Sequence, residues 1–150
     1  MRAAKSLWSL TAVLTLFSAA CVTRTEPLYT TPAQGVAPAL IIEQFLAAVN
    51  SQDLATMGNL FGTRDGPISN RDPKAQVEQQ MFVLANILKH QDYQFEGESI
   101  VPGRQNEATQ FSVLMTIGKR KISVPFLVVR SKNNGWMVEQ IGIEKITYTR

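Results

Sequence analysis

The sequence predicts an α+β fold in which three N-terminal helices pack on a four-stranded antiparallel meander. Apolar residues recur at helical spacing between residues 39 and 90, and the period changes to two from Asp92 onward. Turn signals such as Pro102-Gly103 and Asn134-Gly135 separate the alternating segments, as is typical of strands joined by hairpins. Helices grouped before such a meander indicate an α+β domain.

The chain opens with the pattern of a secretory signal peptide. Arg2 and Lys5 form a short positive region, the run from Leu7 to Phe17 carries no charge, and residues 18–20 are small. The apolar run is shorter than the roughly 20 residues that a membrane-spanning helix needs. We therefore expect residues 1–20 to be a signal peptide.

Cys21, the only cysteine in the 150 residues, follows this segment directly. The stretch FSAAC resembles the bacterial lipoprotein pattern, in which the cysteine becomes the first mature residue and carries acyl chains such as palmitate. Ser18 stands where Leu is usual, and Ser18 with Ala20 also suits ordinary signal peptidase, so both routes stay open. A free exposed thiol is a liability in an oxidising envelope, whereas an acylated one is not. We expect lipid attachment at Cys21 and anchoring to a membrane of the cell envelope.

Two further features of the N-terminal region refine this expectation. Val22 stands where Asp would favour retention in the inner membrane, which favours the outer membrane in a host that has one. Residues 22–38 hold three prolines and four threonines without an apolar period. We expect residues 21–38 to be the lipidated cysteine and a flexible tether, and residues 39–150 to be the one folded domain.

Charge and composition argue against several classes of partner. The chain carries 15 basic and 12 acidic residues, and removing Arg2 and Lys5 with the signal peptide leaves 13 against 12. This balance predicts no nucleic-acid partner. One cysteine and one histidine argue against a disulfide framework and a zinc site, so we expect no cofactor and no metal.

The helices are predicted from apolar spacing and capping residues. The first covers about residues 38–51, and Asp53 caps a second that stops at Gly62. Asp72 and Pro73 are read as the N-cap and first residue of a third helix that runs to His90. Its apolar face is centred on four residues and broadened by three more, which predicts deep packing: Val77, Met81, Leu84, Leu88, Phe82, Ala85 and Ile87.

Four strands are predicted after His90, over residues 92–100, 109–117, 122–129 and 136–143. Pro125 lacks an N–H and predicts an edge position or a bulge. A phase slip in the last strand predicts a bulge near Glu139-Gln140. In the first strand Glu96 and Glu98 alternate with the aromatic residues, so we expect both glutamates on the opposite, exposed face.

The stretch IIEQFLAAVNSQDLATMGNLFG is similar to the opening helix pair of the nuclear transport factor two-like, or cystatin-like, superfamily. That pair reads as an apolar helix, a polar break ending in Asp, and a helix ending in Leu-Phe. The resemblance covers residues 39–150 and implies a cone between helices and sheet. Only GPISNR is available for the hairpin that usually follows the helix pair, so this hairpin is expected to be reduced, that is, short or absent. Members often dimerise through the sheet, which makes a homodimer one expectation.

The resemblance leaves the activity open, because the superfamily holds isomerases, dehydratases, polyketide cyclases and non-enzymatic binding modules. His90, Asp92 and Tyr93, between the third helix and the first strand, are the best catalytic candidates, since a histidine beside an aspartate can form a base and its orienting partner. Alternatively, His90 caps the helix C-terminus and Asp92 is a solvated loop residue, which is the interpretation we favour.

The residues inside the cone distinguish a binding function from an enzymatic one. Five residues would line a ligand pocket or, as is more usual at these spacings, form plain core: Met81, Phe95, Phe111, Met115 and Phe126. We expect a non-catalytic domain that binds a small apolar ligand or another envelope protein. The alternative is a metal-free isomerase or dehydratase acting on a small apolar substrate, which a titratable pair facing an open pocket would favour.

Overall fold

The computed structural model describes residues 36–133 and 135–147. The predicted signal peptide, most of the predicted tether and Cys21 lie outside the described residues. Three helices come first, namely α1 (Val36–Ser51), α2 (Leu54–Leu60) and α3 (Lys74–Leu88). None of the helices in the described parts of the chain combines the length and the hydropathy needed to cross a bilayer.

The first two helices form where the sequence predicts them. The buried stripe of α1 repeats at helical spacing through Ile42, Phe45 and Val49. The carboxylate of Asp53 accepts a hydrogen bond from the backbone N–H of Thr56 at 3.0 Å, which confirms the predicted N-cap of α2.

Helix α3 differs from the prediction in its start and in one part of its buried face. Pro73 has a ψ of 136°, so it is extended and acts as the N-cap, and the prediction of Asp72 as N-cap is wrong. The carboxylate of Asp72 instead accepts from Nε of Arg71 at 3.3 Å. Phe82 is 52% exposed, because it lies about 100° around the helix from the buried Met81.

Four longer strands form the predicted antiparallel meander: β3 (Asp92–Ile100), β4 (Ala108–Ile117), β5 (Arg120–Arg130) and β6 (Trp136–Ile141), in the order β3-β4-β5-β6. Between α2 and α3 lies a hairpin of two-residue strands, β1 (Gly62–Thr63) and β2 (Gly66–Pro67), followed by a 3₁₀ turn. This hairpin is reduced, as predicted. Its strands lie so close that a Cβ on Gly62 would collide with the backbone oxygen of Gly66.

Strand β6 contains the predicted bulge. Val138 pairs with Val128 and Gln140 pairs with Leu127, which leaves Glu139 as the extra residue. Pro125 lies just beyond the paired end of β6, where its carbonyl accepts from the N–H of Gly142 at 2.9 Å. The pairing between β5 and β6 therefore ends next to Pro125, which takes an edge position there. No backbone hydrogen bond of that pairing requires the N–H that proline lacks.

Strand β3 contains a bulge that the sequence does not predict. Phe95 pairs with Val113 and Gly97 pairs with Ser112, so the register shifts at Glu96. The shift moves Glu98 opposite Phe111, on the face that carries Phe95. The expectation that Glu98 lies on the face opposite the aromatic residues is therefore wrong, although Glu98 is exposed as predicted.

The core lies between the helices and one face of the sheet. Its largest fully buried side chains come from α1, α2, α3 and the two central strands: Phe45, Phe126, Ile42, Leu46, Met57, Leu88 and Met115. A short helix, α4 (Glu144–Thr147), follows β6 where the sequence predicts no helix. Its Ile146 is buried and joins the same core cluster.

Candidate functional site

The space between helices and sheet is filled by side chains. Met57, Met115 and Phe126 have no exposed surface, and Phe45 packs its ring 6.1 Å from that of Phe61. Buried polar or charged residues within the described ranges are His90 and Ser131, each 7% exposed. The interior therefore offers apolar contact and very few groups that can carry a proton.

The five residues considered as pocket lining share this packing, with one exception. Met81, Phe111, Met115 and Phe126 are buried members of one continuous core cluster. Phe95 is half-buried on β3 and packs its ring edge-on against Phe111, with the centroids 5.8 Å apart. The structure therefore brings the set together as packed core, and Met81 also reaches a surface groove described below.

His90 lies directly after α3, where its ring and backbone make three hydrogen bonds. Nδ1 lies 2.9 Å from the carbonyl oxygen of Leu88, one of the carbonyls that the last turn of a helix leaves without a helical partner. The backbone N–H of His90 donates to Oδ1 of Asn50 at 3.3 Å, and Nε2 lies 3.3 Å from Nδ2 of the same amide.

These contacts indicate which ring nitrogen of His90 carries the hydrogen. The Leu88 carbonyl only accepts, so Nδ1 carries the hydrogen. The backbone N–H of His90 holds Oδ1 of Asn50 as its acceptor, so Nδ2 of Asn50 points its hydrogen at Nε2. Both ring nitrogens are thus occupied by structural bonds, and His90 joins the end of α3 to the end of α1.

Tyr93 packs its ring against that of His90. The two rings meet edge-to-face with centroids 5.5 Å apart, and Phe95 continues the row at 6.0 Å from Tyr93. Burial raises the pKa of the Tyr93 hydroxyl, and the negative charges of Glu43 and Asp92 raise it further. The hydroxyl of Tyr93 therefore stays protonated at neutral pH.

Asp92, the acidic candidate, lies at the surface, whereas Glu139 is half-buried in an ion pair. Asp92 is exposed and pairs with Thr116 at the start of β3, and Glu139 is held by Arg104 at 2.8 Å. Within residues 36–133 and 135–147 no group of three or more His, Cys, Asp or Glu side chains is placed to hold a metal ion.

A groove of about 420 Å³ runs along the exposed side of α3. Six apolar residues and two glutamines line it: Phe61, Met81, Val83, Leu84, Ile87, Ile143, Gln79 and Gln80. We call this feature the α3 groove. Its volume falls in the range of about 300–1,000 Å³ that is usual for small-molecule sites.

Sequence reasoning missed both the Asn50 contact and the α3 groove. Asn50 is 40 residues from His90, and a single amide near a helix end gives no sign of a distant partner. The groove joins α3 to Phe61 and Ile143, which come from two other parts of the chain. No local pattern connects three such segments.

Comparison with known proteins places the chain beside diverged solved structures. No family model and no curated protein matches it. A protein from Catenulispora acidiphila is similar at 14% identity over 73% of this chain and 88% of its own, with a TM-score of 0.47. An NTF2-like (nuclear transport factor two-like) protein of unknown function from Cytophaga hutchinsonii is similar at 14% identity over 74% and 92%, with a TM-score of 0.39.

The class of domain follows from the elements themselves. Three helices, a reduced hairpin and a four-stranded antiparallel meander form an α+β domain, in the arrangement that the resemblance to the NTF2-like superfamily implies. This class of fold includes both binding modules and isomerases, so the fold does not choose between them.

Proposed function

We propose that this protein is a lipid-anchored component of the bacterial envelope and that its NTF2-like domain is a non-catalytic binding module. The observation that supports the binding role is the filled interior. Met57, Met115 and Phe126 have no exposed surface, and none of the three catalytic candidates, His90, Asp92 and Tyr93, is among the described residues that line the α3 groove.

The alternative, an isomerase or dehydratase, needs a base within hydrogen-bond reach of a bound substrate. Both ring nitrogens of His90 are engaged by Leu88 and Asn50, and the raised pKa of Tyr93 keeps its hydroxyl protonated. Asp92 lies on the surface at the start of an edge strand. These placements favour binding over proton transfer.

The anchor rests on the sequence around Cys21. The FSAAC pattern supports acylation, and two or more acyl chains give stable membrane attachment. Val22 supports an outer-membrane location, and the partner of the domain would be a small apolar ligand or another envelope protein.

The anchor is tested by replacing Cys21 with Ser in the full chain. Cells are labelled with an alkyne analogue of palmitate and then fractionated. We expect the wild-type protein to carry label in the membrane fraction, and Cys21→Ser to lose the label and either leave the membrane or accumulate as precursor. Ser18→Leu, which restores the usual residue of the pattern, serves as the control that keeps the label. Unchanged labelling and fractionation of Cys21→Ser would contradict the anchor.

The non-catalytic role is tested in a strain that lacks the gene. Tyr93→Phe and Asp92→Asn each remove a candidate reactive group while keeping the size of the side chain. We expect both variants, present at wild-type level, to complement the strain fully. If either variant is folded but fails to complement the strain, the result would favour the enzyme interpretation.

A further inference from the structure

The α3 groove follows the axis of the helix. Its α3 lining begins at Gln79 and ends at Ile87, and the eight steps between these residues extend about 12 Å along the axis. Phe61 and Ile143, from other parts of the chain, also line it. The groove is therefore long enough to contact a linear ligand along this stretch of the helix.

The two ends of the α3 lining differ in chemistry. Gln79 and Gln80 place neutral amides at one end, and Ile87 places a branched alkyl group at the other. None of the described residues that line the groove is charged. A ligand with an uncharged polar end and an apolar tail matches this order, whereas a charged head would find no described lining residue of opposite charge to pair with it.

Most of the apolar lining is buried or half-buried, which argues for a small ligand rather than a protein surface. Met81 is 2% exposed, and Leu84 and Ile87 are half-buried. Of the large apolar residues that are strongly exposed in the described chain, only Val83 lines the groove. A protein interface of standard size needs roughly 800 Å² from each partner, with anchor residues that protrude.

We propose that the α3 groove binds the alkyl chain of an uncharged amphiphile, with its polar end at Gln79 and Gln80 and its tail toward Ile87. This inference rests on the proposed binding role and names its ligand class. It does not depend on the lipid anchor, because every described residue that lines the groove belongs to the folded domain.

The test uses the full chain and two photoreactive dodecanol probes. One probe carries a diazirine beside the hydroxyl group and the other carries it at the end of the tail. Adducts are mapped by mass spectrometry on whichever cell fraction holds the protein, so a failed anchor leaves the result readable. We expect the first probe to label the Gln79–Gln80 end and the second to label the Ile87 end. Excess unlabelled dodecanol should lower both adducts about tenfold.

A matched pair of variants on neighbouring positions provides the control. Val83 lines the groove and is 53% exposed, whereas Phe82 is 52% exposed and lies outside it. Lysine suits an exposed helical position, so neither variant should change the melting temperature. We expect Val83→Lys to lower the adducts about tenfold and Phe82→Lys to leave them unchanged.

Three results would overturn the proposal. The first is labelling that follows exposure alone and is equally strong at Leu40, Phe82 and Ile100. The second is an identical adduct pattern from both probes, or adducts that excess dodecanol does not displace. The third is a change of oligomeric state in Val83→Lys but not in Phe82→Lys, which would assign the groove to a second copy of the chain. None of these results alters the complementation by Tyr93→Phe, which tests the binding role separately.

Discussion

The interior of the domain and the α3 groove are both apolar, yet only the interior is closed. Helix α3 contributes to each, and the difference arises within two residues, since Val83 is 53% exposed and Ala85 is 1% exposed. Two residues turn a helix by about 200°, which carries one side chain into the core and the other onto the surface. The interior and the α3 groove are therefore distinguished by burial and not by residue type. The buried apolar side chains stabilise the fold, and the exposed ones are free to bind.

The largest expected effect lies in the closed region. Phe126→Ala removes a ring with no exposed surface, and deletions of this kind cost about 3–5 kcal/mol. Urea unfolding followed by tryptophan fluorescence measures the loss. Val83→Ala in the groove is the control, with an expected change within about 0.5 kcal/mol. Similar losses for the two variants would erase the distinction between the regions.

A smaller effect is expected at the contact that joins the ends of α1 and α3. Asn50→Ala leaves Nε2 and the backbone N–H of His90 without partners, and His90 is only 7% exposed. A buried polar group left unpaired costs about 1–3 kcal/mol. Asn86→Ala, which removes an exposed amide bonded only within its own helix, should be close to neutral in the same urea experiment. Equal losses of stability in Asn50→Ala and Asn86→Ala would mean that the contact between Asn50 and His90 does not stabilise the fold.

The smallest effect is expected at the start of α2, the helix that leads into Phe61 and so positions one wall of the groove. Hydrogen bonds from Thr56 lower the pKa of Asp53 below its ordinary value of 3.8. A lowered native pKa stabilises the fold fully above the ordinary value, and the contribution is lost as the pH falls through the native value. Asp53→Ala should therefore lower the urea midpoint at pH 7 and much less near pH 2. A difference that does not depend on pH would show that the charge of Asp53 plays no part.

Regular elements were predictable because their apolar patterns are local. The stripe of α1 and the alternation of β4 and β5 follow directly from residue spacing, and the slip around Glu139 predicted the bulge in β6. The bulge at Glu96 was not predictable, since its neighbours Gly97 and Glu98 give no apolar phase in which a slip would show. The exposure of Phe82 was not predicted because residues 81–88 are all apolar except Asn86. Such a continuous run does not show which side of the helix is buried, and the helix buries only part of it.

The candidate site was predictable only in part. The sequence pointed to the junction at His90, Asp92 and Tyr93, but the partner that fixes the histidine comes from α1. The α3 groove depends on how three distant segments pack, and its two glutamines look like ordinary solvated residues in the sequence. Long-range placement of this kind carries no local signal that a reading of single segments can detect.

Strand β3 is placed to resist aggregation. In the described part of the chain it forms one edge of the four-stranded sheet, and a long edge strand offers unpaired backbone groups to a neighbouring molecule. The bulge at Glu96 interrupts that row midway, and Asp92, Glu96 and Glu98 place acidic side chains along it. Two copies approaching edge to edge would meet mismatched spacing and like charge, which disfavours the pairing of their β3 strands into one continuous sheet.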